Sequence, residues 1–506
     1  MADAGEVLAQ GDRVDAKLGV GMKVLLAGLI AVTSLLAPST ASAAPVPVLA
    51  SVDSTAQTLA WKPCEGPQGA QCAEIEVSGP DTGDWTIPVM RLPATGKRIG
   101  VLFTNPGGPG ISGVDYLRTW GDTLSRLRAS YDIVSFDPPG MGGSVPDTRC
   151  LTEAQKIDIR NQPSAPRGRA ERQTAYRLAR LIGQECASLL GPALADVSTL
   201  NAAAVMDAIR AALGERRISY LGFSYGTLLG AVYADRYPER TWRFVLDGAM
   251  DPALDYDRVR RDQAVALDKA TRRFIRDCPS HRDCPLTGDV QRDMRLLEDL
   301  VASLDARPYR HNGRELSGLR ALNYIQSSMY YPPYGWKGLR TVLGPALDGN
   351  LTPFLRASYS PDNMVNPADP EYLSVVCEDL ATTRNPSVIP RKARHWAELA
   401  PLNGASRAWS TAPCATWPTR QPALPSRLTA AGSGPILVIG TTHDPATPVQ
   451  WARSLSGMLE QGYYLEWKGD GHLAYDGDRG GRCVTSAVDA LLLKGVIPPK
   501  RMLCPA

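Results

Sequence analysis

An α/β fold, with a mostly parallel, doubly wound sheet and an inserted, mainly helical cap domain, is the fold class this sequence predicts. Three observations carry it. Short apolar runs alternate with segments of helical periodicity through the first half of the chain, the pattern of strands crossed by helices. Two glycine-rich turns, Asn105 to Gly110 and Gly222 to Gly226, each follow such a run, which puts both at the carboxyl edge of a parallel sheet. From Asp251 the strand signals fade for some 180 residues, and they return at Pro435 to Gly440, so the intervening segment reads as an insertion.

The 506 residues exceed one ordinary domain but suit one large core with a long insertion. A hydrophobic content of 44%, a charged content of 21% and a net charge of +3 describe a globular chain without the basic bias of a nucleic-acid surface. No nucleic-acid partner is expected. Residues 1–43 read as an export signal peptide: Lys17 and Lys23 precede the apolar run Val24 to Leu36, and Ala41-Ser42-Ala43 supplies a small-residue cleavage site. Lys17 lies far in for such a signal, which leaves Met22 or an earlier methionine open as the start. The run is 13 residues, short of the about 20 that span a membrane. The expectation is a secreted, extracellular chain with no stable membrane insertion after cleavage, and a monomer.

Residues 44–60 form a leader or a propeptide, 61–250 the first part of the core, 251–430 the helical cap and 431–506 the C-terminal part of the core. Export suits the ten cysteines, an even number, because an oxidising compartment favours paired thiols. Nearest-neighbour pairing gives Cys64 with Cys72, Cys150 with Cys186, Cys278 with Cys284, Cys377 with Cys414 and Cys483 with Cys504. No C-x-x-C occurs, and the five histidines do not accompany the cysteines at ligand spacing, so neither metal nor cofactor is expected.

In chain order, Ala73 to Val77 and Trp85 to Met90 read as antiparallel strands opening the sheet. Arg98 to Thr104 and Tyr131 to Asp137 are buried strands, each followed by a glycine-rich turn. Helical periodicity runs through Glu171 to Leu190 and Leu200 to Leu213, ahead of the strand Ile218 to Leu221. Arg243 to Leu246 is a further strand. The cap has helices over Arg258 to Arg276, Val290 to Leu304 and Leu316 to Met329, and an aromatic and proline cluster from Tyr330 to Trp336 that suits either substrate subsites or cap core. Tyr463 to Trp467 is the last strand read.

Gly222-Phe223-Ser224-Tyr225-Gly226, between a strand and a helix, is a nucleophile elbow, whose serine is held strained and exposed above the helix N-terminus. A serine hydroxyl needs a base to take its proton, and the base needs a carboxylate to orient it. Asp444 and His472 each sit in a loop after a core strand, in the chain order Ser, Asp, His. His443 is a rival base, but it adjoins the acid on an extended loop and points away from it. Asp247 and Asp251 are rival acids, and Asp470 reads as a turn residue. Two N–H donors complete the set for a tetrahedral oxyanion: Tyr225 and, from the loop Asn105 to Gly110, Gly107 or preferably Gly108.

Asn105-Pro-Gly-Gly-Pro-Gly, Tyr131-Asp-Ile-Val-Ser-Phe-Asp-Pro-Pro-Gly, Tyr220-Leu-Gly-Phe-Ser-Tyr-Gly-Thr and Gly440-Thr-Thr-His-Asp-Pro-Ala-Thr-Pro resemble the proline iminopeptidase and tripeptidyl aminopeptidase family of α/β-hydrolases, above all its secreted bacterial members. The resemblance is strong in the core and weak through the cap. It implies a serine exopeptidase acting on peptide substrates at their free amino ends, with Ser224, Asp444 and His472 as triad. Histidine usually stands in proline iminopeptidases where this chain has Asn105, a departure that fits the tripeptidyl branch. The segment Val375 to Asp379 resembles a cysteine-plus-acid segment of that branch and makes Glu378 and Asp379 candidates to bind the substrate amine. A secreted carboxylesterase or lipase with the same triad, and a non-catalytic binding protein on this scaffold, are the competing readings.

Overall fold

A computed structural model of the protein describes residues 58–79, 83–360, 369–419, 424–475 and 479–506. The expected export signal and its cleavage site lie outside the described residues. In chain order the strands are β1 (Lys62–Pro63), β2 (Gln71–Gly79), β3 (Gly83–Leu92), β4 (Gly100–Asn105), β5 (Tyr131–Phe136), β6 (Ile218–Phe223), β7 (Thr241–Asp247), β8 (Tyr309–His311), β9 (Arg314–Leu316), β10 (Ile436–His443), β11 (Gly462–Asp470) and β12 (Arg501–Cys504). Ten of them form one sheet in the order β1-β2-β3-β5-β4-β6-β7-β10-β11-β12. β1, β2 and β3 pair antiparallel, β3 meets β5 antiparallel, and from β5 to β12 the pairing is parallel.

The central strands are buried on both faces, as near-continuous apolar runs require. Alternation sorts their side chains into two layers. Val101, Phe103, Val134, Phe136, Tyr220 and Phe244 pack on one side of the sheet, and Leu102, Ile133, Leu221, Val245, Leu437 and Ile439 on the other. Helices cover the first face; among them, Thr199–Ala212 starts where the Ser198 side chain accepts the Asn201 N–H.

Between β7 and β10 the chain is mainly helical, as expected, with Tyr256–Asp277, Val290–Ala306, Gly318–Ser328 and Pro332–Leu347 as its longer helices up to residue 350. In the aromatic and proline cluster, Pro332 and Pro333 occupy the first turn of a helix, where a missing N–H costs nothing. The small hairpin β8–β9 and the edge strands β1 and β12 went unread in the sequence because each is only two to four residues long.

The expected cap also divides in packing. Leu267, Phe274, Leu297, Leu322, Leu343 and Phe354 form a core of their own. Leu373, Val376, Cys414, Trp417, Leu424 and Leu428 instead join the layer against the sheet. The five nearest-neighbour disulfides are all formed, and Cys377–Cys414 lies in the part of the segment fixed to the sheet.

Candidate active site

Ser224 sits between β6 and helix Tyr225–Arg236 at φ 53° and ψ −121°, a conformation that costs an L-residue on the order of 1–3 kcal/mol. Its neighbours hold it there. Ser224 N–H donates to the Asp247 carbonyl at 2.9 Å, and Thr227 N–H donates to the Ser224 carbonyl at 2.9 Å. The flanking glycines are required by close approach: a Cβ on Gly222 would lie 2.5 Å from Gly226 O, and one on Gly226 would lie 2.7 Å from Asn105 O. Tyr225 N is the first N–H of the helix, so no preceding turn supplies it with a carbonyl.

Asp444 and His472 meet as the sequence order suggests. His472 Nδ1 lies 2.9 Å from Asp444 Oδ2 and 3.1 Å from Oδ1, with both side chains buried. The carboxylate is fixed by three further donors, Ala446 N–H at 2.8 Å, Thr447 N–H at 2.9 Å and Thr447 Oγ1 at 2.8 Å. His472 N–H donates to Tyr330 O at 2.8 Å, and the Tyr330 ring stands edge-on to the imidazole at 5.4 Å. Thr447 was missed in the sequence, although a hydroxyl three residues after an aspartate is a readable turn signal.

The rival acids and bases have other tasks. The Asp247 carboxylate accepts the N–H groups of Ala474, at 2.9 Å, and Tyr475, at 2.8 Å, so it fixes the chain just after His472. Asp251 Oδ1 accepts Ala253 N–H at 2.9 Å. Asp470 pairs with Arg273 of the cap, Nη2 to Oδ2 at 2.7 Å, and is not merely a turn residue. His443 ends β10, where burial and then Arg273 lower its pKa.

The loop after β4 lies against the elbow. At φ 102° Gly107 comes so close that a Cβ there would stand 2.8 Å from Ser224 Cβ. Its N–H is taken, donating to Asn105 Oδ1 at 2.9 Å, whereas Gly108 lines the same cavity as Ser224. Asn105 thus orients the loop, a role not visible in its sequence position. Buried Asp137 ties this loop to the one after β5, accepting from Ser112 Oγ at 2.7 Å, Val114 N–H at 3.0 Å and Gly143 N–H at 2.8 Å.

Ser224 and His472 open on one cavity of about 440 Å³, roofed by helices between β7 and β10. The aromatic cluster splits: Tyr330 and Tyr331 line the cavity, whereas Trp336 packs on Phe274 in the cap core.

The structure does not bring Glu378 or Asp379 to this cavity, which corrects the expected amine site. Glu378 Oε1 accepts Trp417 Nε1–H at 2.8 Å and also the Thr419 hydroxyl, and its Oε2 is buried without a partner. Asp379 accepts Thr199 N–H at 3.0 Å and the Thr199 hydroxyl, which lies 2.6 Å from the Tyr225 hydroxyl. Asp379 therefore anchors the cap to the core through Thr199, whereas Glu378 is held within the inserted segment. Burial pushes each of them up to about 7. The acids that do line the cavity are Asp369 and Glu371, from the opposite end of the same helix region, Pro370–Asp379. Asp369 pairs with Arg160 at 3.2 Å, and burial raises the pKa of Glu371.

A family profile described as the alpha/beta hydrolase fold matches residues 100–478. A Mycobacterium tuberculosis protein named serine protease Hip1 is 31% identical over 482 residues, covering 88% of this chain and 91% of its own. A carboxylesterase B of the same organism is 31% identical over 459 residues, 86% of each chain. A tripeptidyl aminopeptidase of Streptomyces coelicolor is 27% identical over 468 residues, 88% of this chain and 85% of its own.

Proposed function

Because the chain belongs to the alpha/beta hydrolase family, we propose that it is a secreted serine exopeptidase. In this reading it releases short peptides, such as tripeptides, or single residues from free peptide N-termini through an acyl-enzyme. The observation that carries the reading is the shared cavity of Ser224 and His472, with the histidine held from its far side by Asp444. The Hip1 and tripeptidyl aminopeptidase relatives support peptides as the substrate class.

Ser224 Oγ attacks the scissile carbonyl while His472 takes its proton and then returns it to the leaving amine. Asp444 keeps the Nδ1 proton in place and stabilises the imidazolium. Tyr225 N–H and Gly108 N–H receive the oxyanion, since Gly107 N–H is already occupied. Water then hydrolyses the acyl-enzyme by the same route. Glu371, with Asp369 beside it, replaces Glu378 and Asp379 as the amine anchor, because a substrate ammonium would restore the charge that burial disfavours on Glu371. The five disulfides support export.

Hydrolysis of aminoacyl- and tripeptidyl-naphthylamides, with free and with acetylated amines, tests the reading against short acyl esters. The expected result is turnover of the free-amine amides and a large loss on acetylation. Ester turnover alone would favour the second reading, a secreted carboxylesterase, which the carboxylesterase B relative supports.

A further inference from the structure

Among the described residues, two arginines in the lining of the active-site cavity lack a counter-ion. Arg260, from helix Tyr256–Asp277, and Arg407, from helix Gly404–Trp409, are 2% and 3% exposed. Among the described residues neither is in an ion pair with a carboxylate, whereas Arg160 in the same lining is matched by Asp369. Arg260 donates from Nε to Ser410 Oγ at 2.9 Å and from Nη1 to Gln263 Oε1 at 2.8 Å, and its Nη2 is buried without an acceptor. Arg407 donates from Nη2 to Gln326 Oε1 at 2.7 Å, and its Nε is buried without an acceptor.

Hydrogen bonds from Arg407 reach a carboxylate only through two amides: Gln326 donates to Asn403 at 2.8 Å, and Asn403 donates to Asp268 at 2.8 Å. Burial, and then the positive charge of Arg260, pull Arg407 down to about 9. A smaller cavity of about 120 Å³ adjoins the pair, and it shares Arg160, Arg260 and Arg407 with the larger one. Burying a cation without a partner is among the costliest arrangements a fold can hold, and a bound anion removes that cost. Both side chains line the cavity, and two adjacent guanidinium groups suit the two oxygens of a carboxylate.

We propose that Arg260 and Arg407 form an anion subsite that receives a carboxylate of the substrate, from an acidic side chain or from the free C-terminus of a short peptide. Assigning the anion to a peptide rests on the exopeptidase reading; the anion site itself does not.

Calorimetric binding to the full chain at about pH 7 tests this with three probes. N-acetylglutamine amide is neutral, N-acetylglutamic acid α-amide carries a side-chain carboxylate, and N-acetylglutamine carries a terminal one. At least one carboxylate probe should bind about tenfold tighter than the neutral one, and the stronger of the two identifies the source. Arg260→Gln and Arg407→Gln should each bring that ratio to within about twofold. Ser410→Asp, which places a built-in carboxylate beside Arg260, should weaken the same probes and guards against loss of folding in the arginine variants. Equal binding or no binding of all three probes, or a ratio that survives every substitution, would overturn the proposal. If the carboxylate probes bind as stated but no peptide is hydrolysed, the exopeptidase reading fails and the anion subsite stands.

Discussion

The sheet and the helical segment between β7 and β10 treat buried charge differently. Beside the sheet, Asp137, Asp247 and Asp444 each accept from two or more donors, and each fixes a loop that bears on Ser224 or His472. In the helical segment, Asp268 and Asp293 are matched in the same way, but other buried charges carry unused atoms. Among the described residues, the charged side chains with a buried, unpartnered nitrogen or oxygen are Arg260, Arg320, Glu378 and Arg407, all between β7 and β10. The difference teaches that charge near the sheet positions the reacting groups, while in the roof Arg260 and Arg407 face the cavity without a matching charge and Glu378 answers to pH. A polar group left unmatched in a protein interior needs such a reason.

The sharpest way to break the comparison is to remove the reacting groups. Ser224→Ala or His472→Ala should lower kcat by about 10⁶-fold, and Asp444→Asn by roughly 10⁴-fold, since the amide selects the wrong tautomer. Steady-state kinetics together with thermal unfolding check this, because the unfolding midpoint should hardly move for Ser224→Ala. A next test separates strain from chemistry. Gly226→Ala puts a methyl group 2.8 Å from Asn105 Oδ1, so it should destabilise the fold by about 1–3 kcal/mol in denaturant titration and also displace the oxyanion loop.

The smallest expected effect concerns pH. Glu378 and Asp379 are pushed up to about 7 and Asp268 to about 6, chiefly by burial, against roughly 4 in an unfolded chain. The folded protein therefore keeps protons that the unfolded chain releases between about pH 4 and 7. The stability these groups contribute is fully present below about pH 4 and is lost as pH rises through 6 to 7. Unfolding midpoints should thus fall from pH 5 to pH 8, and Glu378→Gln should flatten the slope and add on the order of 1 kcal/mol at pH 8. An unchanged slope in that variant would show that Glu378 does not hold its proton.

What was legible in the sequence follows the same division. The strands β4, β5, β6 and β10, the elbow and the pairing of His472 with Asp444 could be read because each rests on a local signal: an apolar run, a glycine turn, a loop after a strand. The proposed amine anchor could not. Glu371 and Glu378 lie two turns apart on one helix, and which of the two acids faces the cavity depends on how that helix docks. Cys377 beside Glu378 is bonded to Cys414 within the inserted segment, and although Val376 and Leu380 at that helix end line the cavity, the Glu378 side chain turns to Trp417. Arg260 and Arg407 carry no motif either, since ordinary charge patterning on a helix hides a cation destined for burial. Their meaning comes from the absence, among the described residues, of a carboxylate partner in three dimensions.

The most direct test of the account is to incubate the protein with an unmodified decapeptide and its N-acetylated twin and to follow the products by mass spectrometry. The account predicts stepwise release of fragments from the amino end of the free peptide, a transient acyl adduct on Ser224, and little release from the acetylated twin. Internal cleavage of both peptides at equal rates, or an intact free peptide beside rapid ester hydrolysis, would contradict it.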